Sequence, residues 1–213
     1  MTIHDPDVVF TDVGLAVLGT GLAWMLKRRA APGLLTSGGI VILLGLSVAA
    51  LAGAVFHAIF TTGTTTLAGY LVWLPVPLAI AVVSSTLVYL AFRQVLPFAG
   101  ESVVRLGVVM YGLAFIGSTV LVDESFGMIV RFYAPALLLF LVTAMIQRAK
   151  GQAGWGLLAG SFAVSAMAAA VQQAKLGIHP DYFDHNAVYH VFQGIALVLL
   201  YRGVRQAAAP FAA

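Results

Sequence analysis

Seven stretches of mostly apolar residues follow one another along the chain and take up most of its length. They are residues 8–26, 34–60, 67–92, 103–122, 126–147, 153–173 and 184–203. A helix needs roughly 20 such residues to cross the hydrocarbon core of a bilayer. The breaks between the stretches contain turn-forming residues, for example Ala31-Pro32-Gly33. We therefore predict an all-α integral membrane protein, a single domain over residues 1–213 built as a bundle of seven transmembrane helices.

The composition excludes several classes of protein. Only 9% of the 213 residues are charged and 61% are hydrophobic, whereas soluble domains carry about 25% charged residues. So few charges cannot cover a globule of this size, which excludes water-soluble enzymes, nucleic-acid-binding proteins and disordered chains. The chain has no cysteine, so disulfides, thiolate metal ligands and cysteine nucleophiles are excluded as well.

The charged residues separate onto the two faces of the predicted bundle. One face receives nine of the eleven basic residues: Lys27, Arg28, Arg29, Arg93, Arg105, Arg148, Lys150, Arg202 and Arg205. The other face receives seven of the eight acids: Asp5, Asp7, Asp12, Asp123, Glu124, Asp181 and Asp184. Basic residues concentrate in cytoplasmic loops. We predict an outside N-terminus and a cytoplasmic C-terminus, with the bacterial inner membrane as the expected location.

Several ionisable residues inside the predicted spans lie near the outer, acidic face, and five of them are candidate site residues. They are Asp12, His57, Arg131, His185 and His190. Such side chains are costly at membrane depth, and each is therefore a candidate for function.

Arg131 has two open explanations. Arg131 could hold a lipid phosphate, or it could form a structural ion pair with Asp123 or Glu124. The ion pair is the favoured explanation.

The second span carries small residues at every fourth position before a histidine. Gly45, Ala49, Gly53 and His57 form one ridge, and small residues at this spacing let another helix approach closely. We expect His57 to face the interior of the bundle. The ridge alone does not decide between a packing role and a functional role for this histidine.

The seventh span begins with a polar stripe. Asn186, His190 and Gln193 lie on one helical face, and in a bilayer their polar groups must be satisfied inside the protein. His185 is about 140° away from His190 on an ideal helix, at roughly 100° per residue. The stripe is explained either by hydrogen bonds between helices or by a polar site, and His57 on another span favours the site.

Histidines without thiolates are typical of an open zinc site, in which the metal acidifies a bound water. His57, His185 and His190 are the candidate ligands, and Asp12 and Asp184 are the candidate acid/base groups.

Two further patterns carry structural predictions. Pro75 and Pro77 predict a kink in the third span and Pro135 predicts one in the fifth, because proline lacks a backbone N–H. Trp73 and Trp155 are expected to be anchors at the membrane interface.

Seven helices, Phe56-His57 on the second span and a histidine-bearing seventh span resemble a superfamily of membrane hydrolases. It includes the alkaline ceramidases and the adiponectin-receptor-like proteins. The chain resembles a divergent, uncharacterised bacterial member, with Thr11-Asp12 on its first span. The resemblance implies a zinc ion held by one histidine of helix 2 and two of helix 7, and hydrolysis of lipid amides. His57 and His190 match this pattern, Asn186 stands at the other helix-7 position, and Gly53 replaces a serine.

Two functions follow from these residues. The first is an outward-facing, zinc-dependent hydrolase of lipid amides. The second is a non-catalytic membrane protein that binds lipid or metal, with a structural polar cluster. A haem carrier using His57 and His190 is disfavoured, because one haem cannot pass electrons across a bilayer. Membrane lipid is the expected partner, nucleic acid is not, and the sequence leaves the oligomeric state open.

Overall fold

The computed structural model describes residues 4–60, 63–96, 100–179 and 182–209. Within them it contains eight α-helices and one short 3-10 turn at Gly63–Thr65. The helices are α1 (Pro6–Arg29), α2 (Leu34–Ile59), α3 (Leu67–Trp73), α4 (Pro75–Val95), α5 (Glu101–Leu121), α6 (Phe126–Ala149), α7 (Trp155–Gln173) and α8 (His185–Ala207). Helices α3 and α4 together form one stretch, so seven helical spans are long and apolar enough to cross a membrane. The predicted all-α architecture and number of spans are confirmed.

The third span is interrupted where the sequence places two prolines. Helix α3 ends at Trp73 and α4 begins at Pro75, while Leu74 between them keeps right-handed helical dihedral angles. Pro75 and Pro77 have no backbone N–H to donate to the preceding turn. The break between α3 and α4 falls at the first of the two prolines for which a kink was predicted.

Six of the helical spans form a closed ring. Around it, α1 packs on α2, α2 on α4, α4 on α6, α6 on α7, α7 on α8, and α8 packs back on α1. Helix α5 lies outside this ring against α4, and it is the least buried of the seven spans. The first and last helices of the chain are therefore neighbours.

The two ends of the bundle carry opposite charge. The acidic end is defined here by Asp5, Asp7, Asp123, Glu124 and Asp184, which lie beside the N-termini of α1, α6 and α8. The basic end is defined by the nine basic residues named above, at the other ends of the helices. Contacts between loops hold the acidic end together, because the Asp184 N–H donates to Asp7 Oδ2 (2.9 Å) and Thr64 donates to Glu124. Asp181, also predicted on this face, lies outside the described residues.

Both tryptophans predicted as interfacial anchors are buried. Trp73 is 8% exposed and lies against the cavity described below, and Trp155 is 5% exposed and stacks on Phe140. An anchor has to reach the headgroup level of the bilayer, so this prediction was wrong. Position near the end of a span does not reveal which side of its helix a residue occupies.

Candidate functional site

A cavity of about 260 Å³ lies in the half of the bundle next to the acidic end. Pockets that hold drug-sized ligands measure about 300–1,000 Å³, so this one suits a small molecule. Its polar lining residues are Asp12, His57, Gln172, Asn186, Tyr189, His190 and Gln193. They come from α1, α7, α8 and the end of α2.

The opposite wall of the cavity is apolar. Phe56, Trp73, Val76, Ile80 and Phe126 line it from α2, α3, α4 and α6. A cavity with one polar and one apolar wall is complementary to an amphipathic molecule, because each part of that molecule meets a wall of its own kind.

The cavity ends within the bundle. Its deepest lining residues on α2 and α8 are Leu46 and Leu197. Beyond them, toward the basic end, Leu26, Leu43 and Leu200 are buried and belong to the apolar core. The arrangement is suited to binding from one side rather than to a continuous path through the protein.

A carboxyl group and an imidazole meet on the polar wall, where α1 packs against α8. His190 Nε2 lies 3.2 Å from Asp12 Oδ1, and the two side chains are only 10% and 5% exposed. The other ring nitrogen, Nδ1, lies 3.0 Å from the Thr11 hydroxyl, so both nitrogens of His190 have partners. Burying an unpaired ionisable group is costly, and this contact offsets part of that cost.

The second oxygen of Asp12 lies against α2. A Cβ atom built on Gly53 would be only 2.9 Å from Asp12 Oδ2, so the absent side chain of Gly53 makes room for the carboxyl group. Oδ1 is the oxygen in contact with His190, and none of the side-chain hydrogen bonds between described residues involves Oδ2. Asp12 therefore keeps one free oxygen at the cavity.

The N-terminal segment covers the end of α2 at the acidic end. His57, which lines the cavity, has its Nδ1 3.4 Å from Asp5 Oδ2. The backbone N–H of His4 donates to the carbonyl of Ala58 at 3.3 Å. Asp5 has a positive φ of 43°, a region that aspartate tolerates better than most residues. The segment thus holds His57 from outside the cavity.

The polar stripe of α8 faces the cavity, as its spacing predicts. Asn186 Oδ1 accepts a hydrogen bond from Gln172 Nε2 at 3.3 Å. Gln193 Oε1 accepts from the Ser165 hydroxyl at 2.9 Å, and its Nε2 donates to Tyr189 Oη at 3.1 Å. Hydrogen bonds between α7 and α8 therefore orient the amide groups of the polar wall.

Asp184 and His185 do not line the cavity. Asp184 is the N-cap of α8, and its Oδ1 accepts from the backbone N–H groups of Asn186 (2.8 Å) and Ala187 (2.9 Å). N-capping aspartates satisfy the free N–H groups of the first turn. His185 Nδ1 lies 3.6 Å from Asp184 Oδ2. The geometry assigns Asp184 to the helix terminus and separates His185 from His57 and His190.

Arg131 is exposed and does not line the cavity either. It is absent from the ion pairs formed within the described residues, so the predicted close pair with Asp123 or Glu124 is not formed there. A backbone hydrogen bond from the Ser125 N–H (2.9 Å) lowers the pKa of Asp123, and the charge of Arg131 lowers this pKa further.

The side chains at the cavity do not fit a three-ligand zinc site. Catalytic zinc takes three protein ligands and leaves one position open. Residues 4–60, 63–96, 100–179 and 182–209 contain no group of three or more histidine, aspartate or glutamate side chains placed to hold a metal. Of the predicted ligands, His57 and His190 share the cavity, whereas His185 lies apart.

Sequence reasoning missed two contributors to the cavity. Gln172 orients Asn186 from the end of α7, and Trp73 forms part of the apolar wall. The pair Gln172-Gln173 near the end of an apolar span was an available signal, since amides at that depth need partners inside the protein. No comparable signal marked Trp73.

The comparison with known families covers nearly the whole chain. The profile of DUF6962, described as a family of unknown function, matches residues 8–209. The chain belongs to this family. No curated protein matches it. All residues that line the cavity fall inside the matched range, so the cavity lies within the DUF6962 domain itself.

Proposed function

We propose that this DUF6962 protein is an integral membrane protein that binds a small amphipathic molecule in the cavity at its acidic end. The observation that carries the proposal is the buried pair of Asp12 and His190 on the polar wall of a cavity whose opposite wall is apolar. Ionisable residues at membrane depth are costly and serve substrate binding or ion pathways. The cavity is closed at its inner end, which favours ligand binding over a pathway through the protein.

The two walls of the cavity make different contributions to ligand binding. Contact with Phe56, Trp73 and Ile80 removes apolar ligand surface from water, at about 25 cal/mol per Å². Hydrogen bonds to the polar wall orient the ligand and disfavour molecules that lack a polar group. Membrane lipid, or a small molecule dissolved in it, is the proposed source of the ligand.

Of the two functions weighed from the sequence, we place the non-catalytic one first. His185 lies away from the cavity and Asp184 caps α8, which removes one predicted ligand and one predicted acid/base group from the site. Zinc-dependent hydrolysis of lipid amides stays a prediction: the zinc rests on the histidines of the sequence and on the resemblance, and the lipid amide substrate rests on the resemblance.

Filling the cavity tests the proposed function. Ala50 lines the cavity, whereas Val48 on the same helix is exposed on the outer surface of the bundle. We expect Ala50→Leu to weaken binding of tritiated 2-phenylethanol to the protein in nanodiscs by about tenfold or more, because overpacking costs about 1–3 kcal/mol. Val48→Leu is the matched control and should bind within about twofold of the wild type. Equal affinities of the two variants would contradict the proposal.

We further propose that the chain lies in the bacterial inner membrane with its N-terminus outside. The concentration of basic residues at the basic end supports this orientation, and it directs the cavity outward. A C-terminal fusion to green fluorescent protein should fluoresce, and a C-terminal alkaline phosphatase fusion should be inactive. The reverse pair of results would place the cavity on the cytoplasmic side.

A further inference from the structure

The free oxygen of Asp12 restricts the chemistry of the ligand. Asp12 lines the cavity with a side chain that is 5% exposed, and its Oδ2 makes no side-chain hydrogen bond to another described residue. When Asp12 is ionised, this oxygen can only accept. A bound molecule that satisfies it must therefore bring an N–H or O–H donor.

The contacts of His190 allow Asp12 to remain an anion. The Thr11 hydroxyl lies 2.8 Å from the Asp7 carbonyl, 3.0 Å from the Val8 carbonyl and 3.0 Å from His190 Nδ1, and it can donate its one hydrogen to only one of them. When it donates to Nδ1, the ring hydrogen of neutral His190 is on Nε2 and faces Asp12 Oδ1 at 3.2 Å. The pair then carries the negative charge of the carboxylate, with Oδ2 open to the cavity. A buried carboxylate is strongly stabilised by a counter-charge, and a cationic ligand would supply one.

The charged residues around the cavity also favour a cationic ligand. The acidic end carries five exposed or half-buried carboxylates, and among the described residues its permanently charged basic side chains are Arg131 and Lys175. Asp5 contacts His57 of the cavity, and Asp184 contacts Asn186 of the cavity. Charges of one sign around a low-dielectric cleft raise the local concentration of oppositely charged molecules.

Aromatic side chains line the cavity together with Asp12. Phe56, Trp73, Phe126 and Tyr189 all belong to its wall. Aromatic faces attract ammonium groups, by about 2 kcal/mol or more when water is excluded. The same rings pack against an apolar ligand body. A carboxylate and several aromatic rings around one small cavity are complementary to an organic amine.

We infer that the ligand is a small organic cation, an amine with an apolar body, whose ammonium group donates a hydrogen bond to Asp12 Oδ2. This inference rests on the proposed function, since it names the ligand class of the same cavity. The amine lies in the cavity beside the Asp12 carboxyl group, and its apolar body contacts Phe56 and Trp73.

Three ligands with the same phenyl body and different polar groups test the inference. They are 2-phenylethylamine, which is cationic at pH 7, neutral 2-phenylethanol and anionic phenylacetate. Binding is measured to the full chain in zwitterionic nanodiscs, with empty nanodiscs as the blank. The wild type should bind the amine about tenfold or more tightly than the alcohol, because hydrogen bonds to charged groups contribute about 1.5–3 kcal/mol. Phenylacetate should bind most weakly.

Two variants separate the role of Asp12 from the role of the other negative charges at the acidic end. Asp12→Asn keeps the shape of the side chain and should remove the preference for the amine over the alcohol. Asp123→Asn removes an acid of the acidic end that does not line the cavity, and it should retain the preference within about threefold.

Each contrary result has a distinct meaning. If the alcohol binds the wild type as tightly as the amine, the cation inference fails and the proposed function stands. If none of the three ligands binds, the proposed function fails and the cation inference fails with it. If Asp123→Asn removes the preference as completely as Asp12→Asn, recognition by Asp12 is overturned in favour of diffuse charge.

Discussion

Replacing Gly53 with leucine is expected to destabilise the protein and abolish ligand binding together. Even a Cβ at this position would lie 2.9 Å from Asp12 Oδ2, where the carboxyl group crosses from α1 to α2. A leucine would displace Asp12 from its contact with His190 or separate the two helices. Overpacking and loss of a buried partner together should cost about 3 kcal/mol or more of unfolding free energy. The measurements are thermal unfolding in detergent and binding of 2-phenylethylamine.

Gly14→Leu provides the matched control for this variant. Gly14 is an exposed glycine of α1, and a Cβ there meets nothing within 4 Å. Both variants add the same side chain to a long apolar helix, so the difference between them isolates the contact with Asp12. Equal unfolding temperatures and equal binding would mean that Asp12 does not pack against α2.

Gly154→Ala is expected to cause the largest loss of stability from a single methyl group. Gly154 precedes α7 with φ of 81°, a left-handed conformation that costs other residues roughly 1–2 kcal/mol. Its Cβ would overlap the carbonyl oxygen of Gly203 and lie 2.5 Å from the backbone nitrogen of Ala207, both on α8. Backbone atoms cannot rotate away as a side chain can, so α8 itself would have to move.

Gly151→Ala separates the two contributions to this loss. Gly151 has a similar φ of 75°, and a Cβ there meets nothing within 4 Å. We expect Gly151→Ala to lower the unfolding free energy by only the conformational cost, about 1–2 kcal/mol, and Gly154→Ala to lower it by at least twice as much. Denaturation of both variants in mixed micelles measures the difference. Similar losses would show that α7 and α8 are not in backbone contact at this point.

Properties that depend on neighbouring residues along the chain could be predicted from the sequence. The helical spans were predicted to within four residues at every end, because a run of apolar residues is sufficient to define them. The same holds for the interruption at Pro75 and for the stripe of Asn186, His190 and Gln193. Helical periodicity places those three side chains on one face whatever the rest of the chain does.

Only the tertiary structure decided which faces meet. Periodicity orients a side chain about the axis of its own helix and does not orient that helix about another one. The contact of Asp12 with His190 joins the first and last helices of the chain, and it depends on the closure of the ring by α1 and α8. For the same reason the sequence could not place Trp73 at the cavity instead of the membrane surface, or α5 outside the ring. Asp184 was a plausible acid/base group from the sequence, and the structure shows its carboxylate bonded to the first turn of α8, outside the cavity.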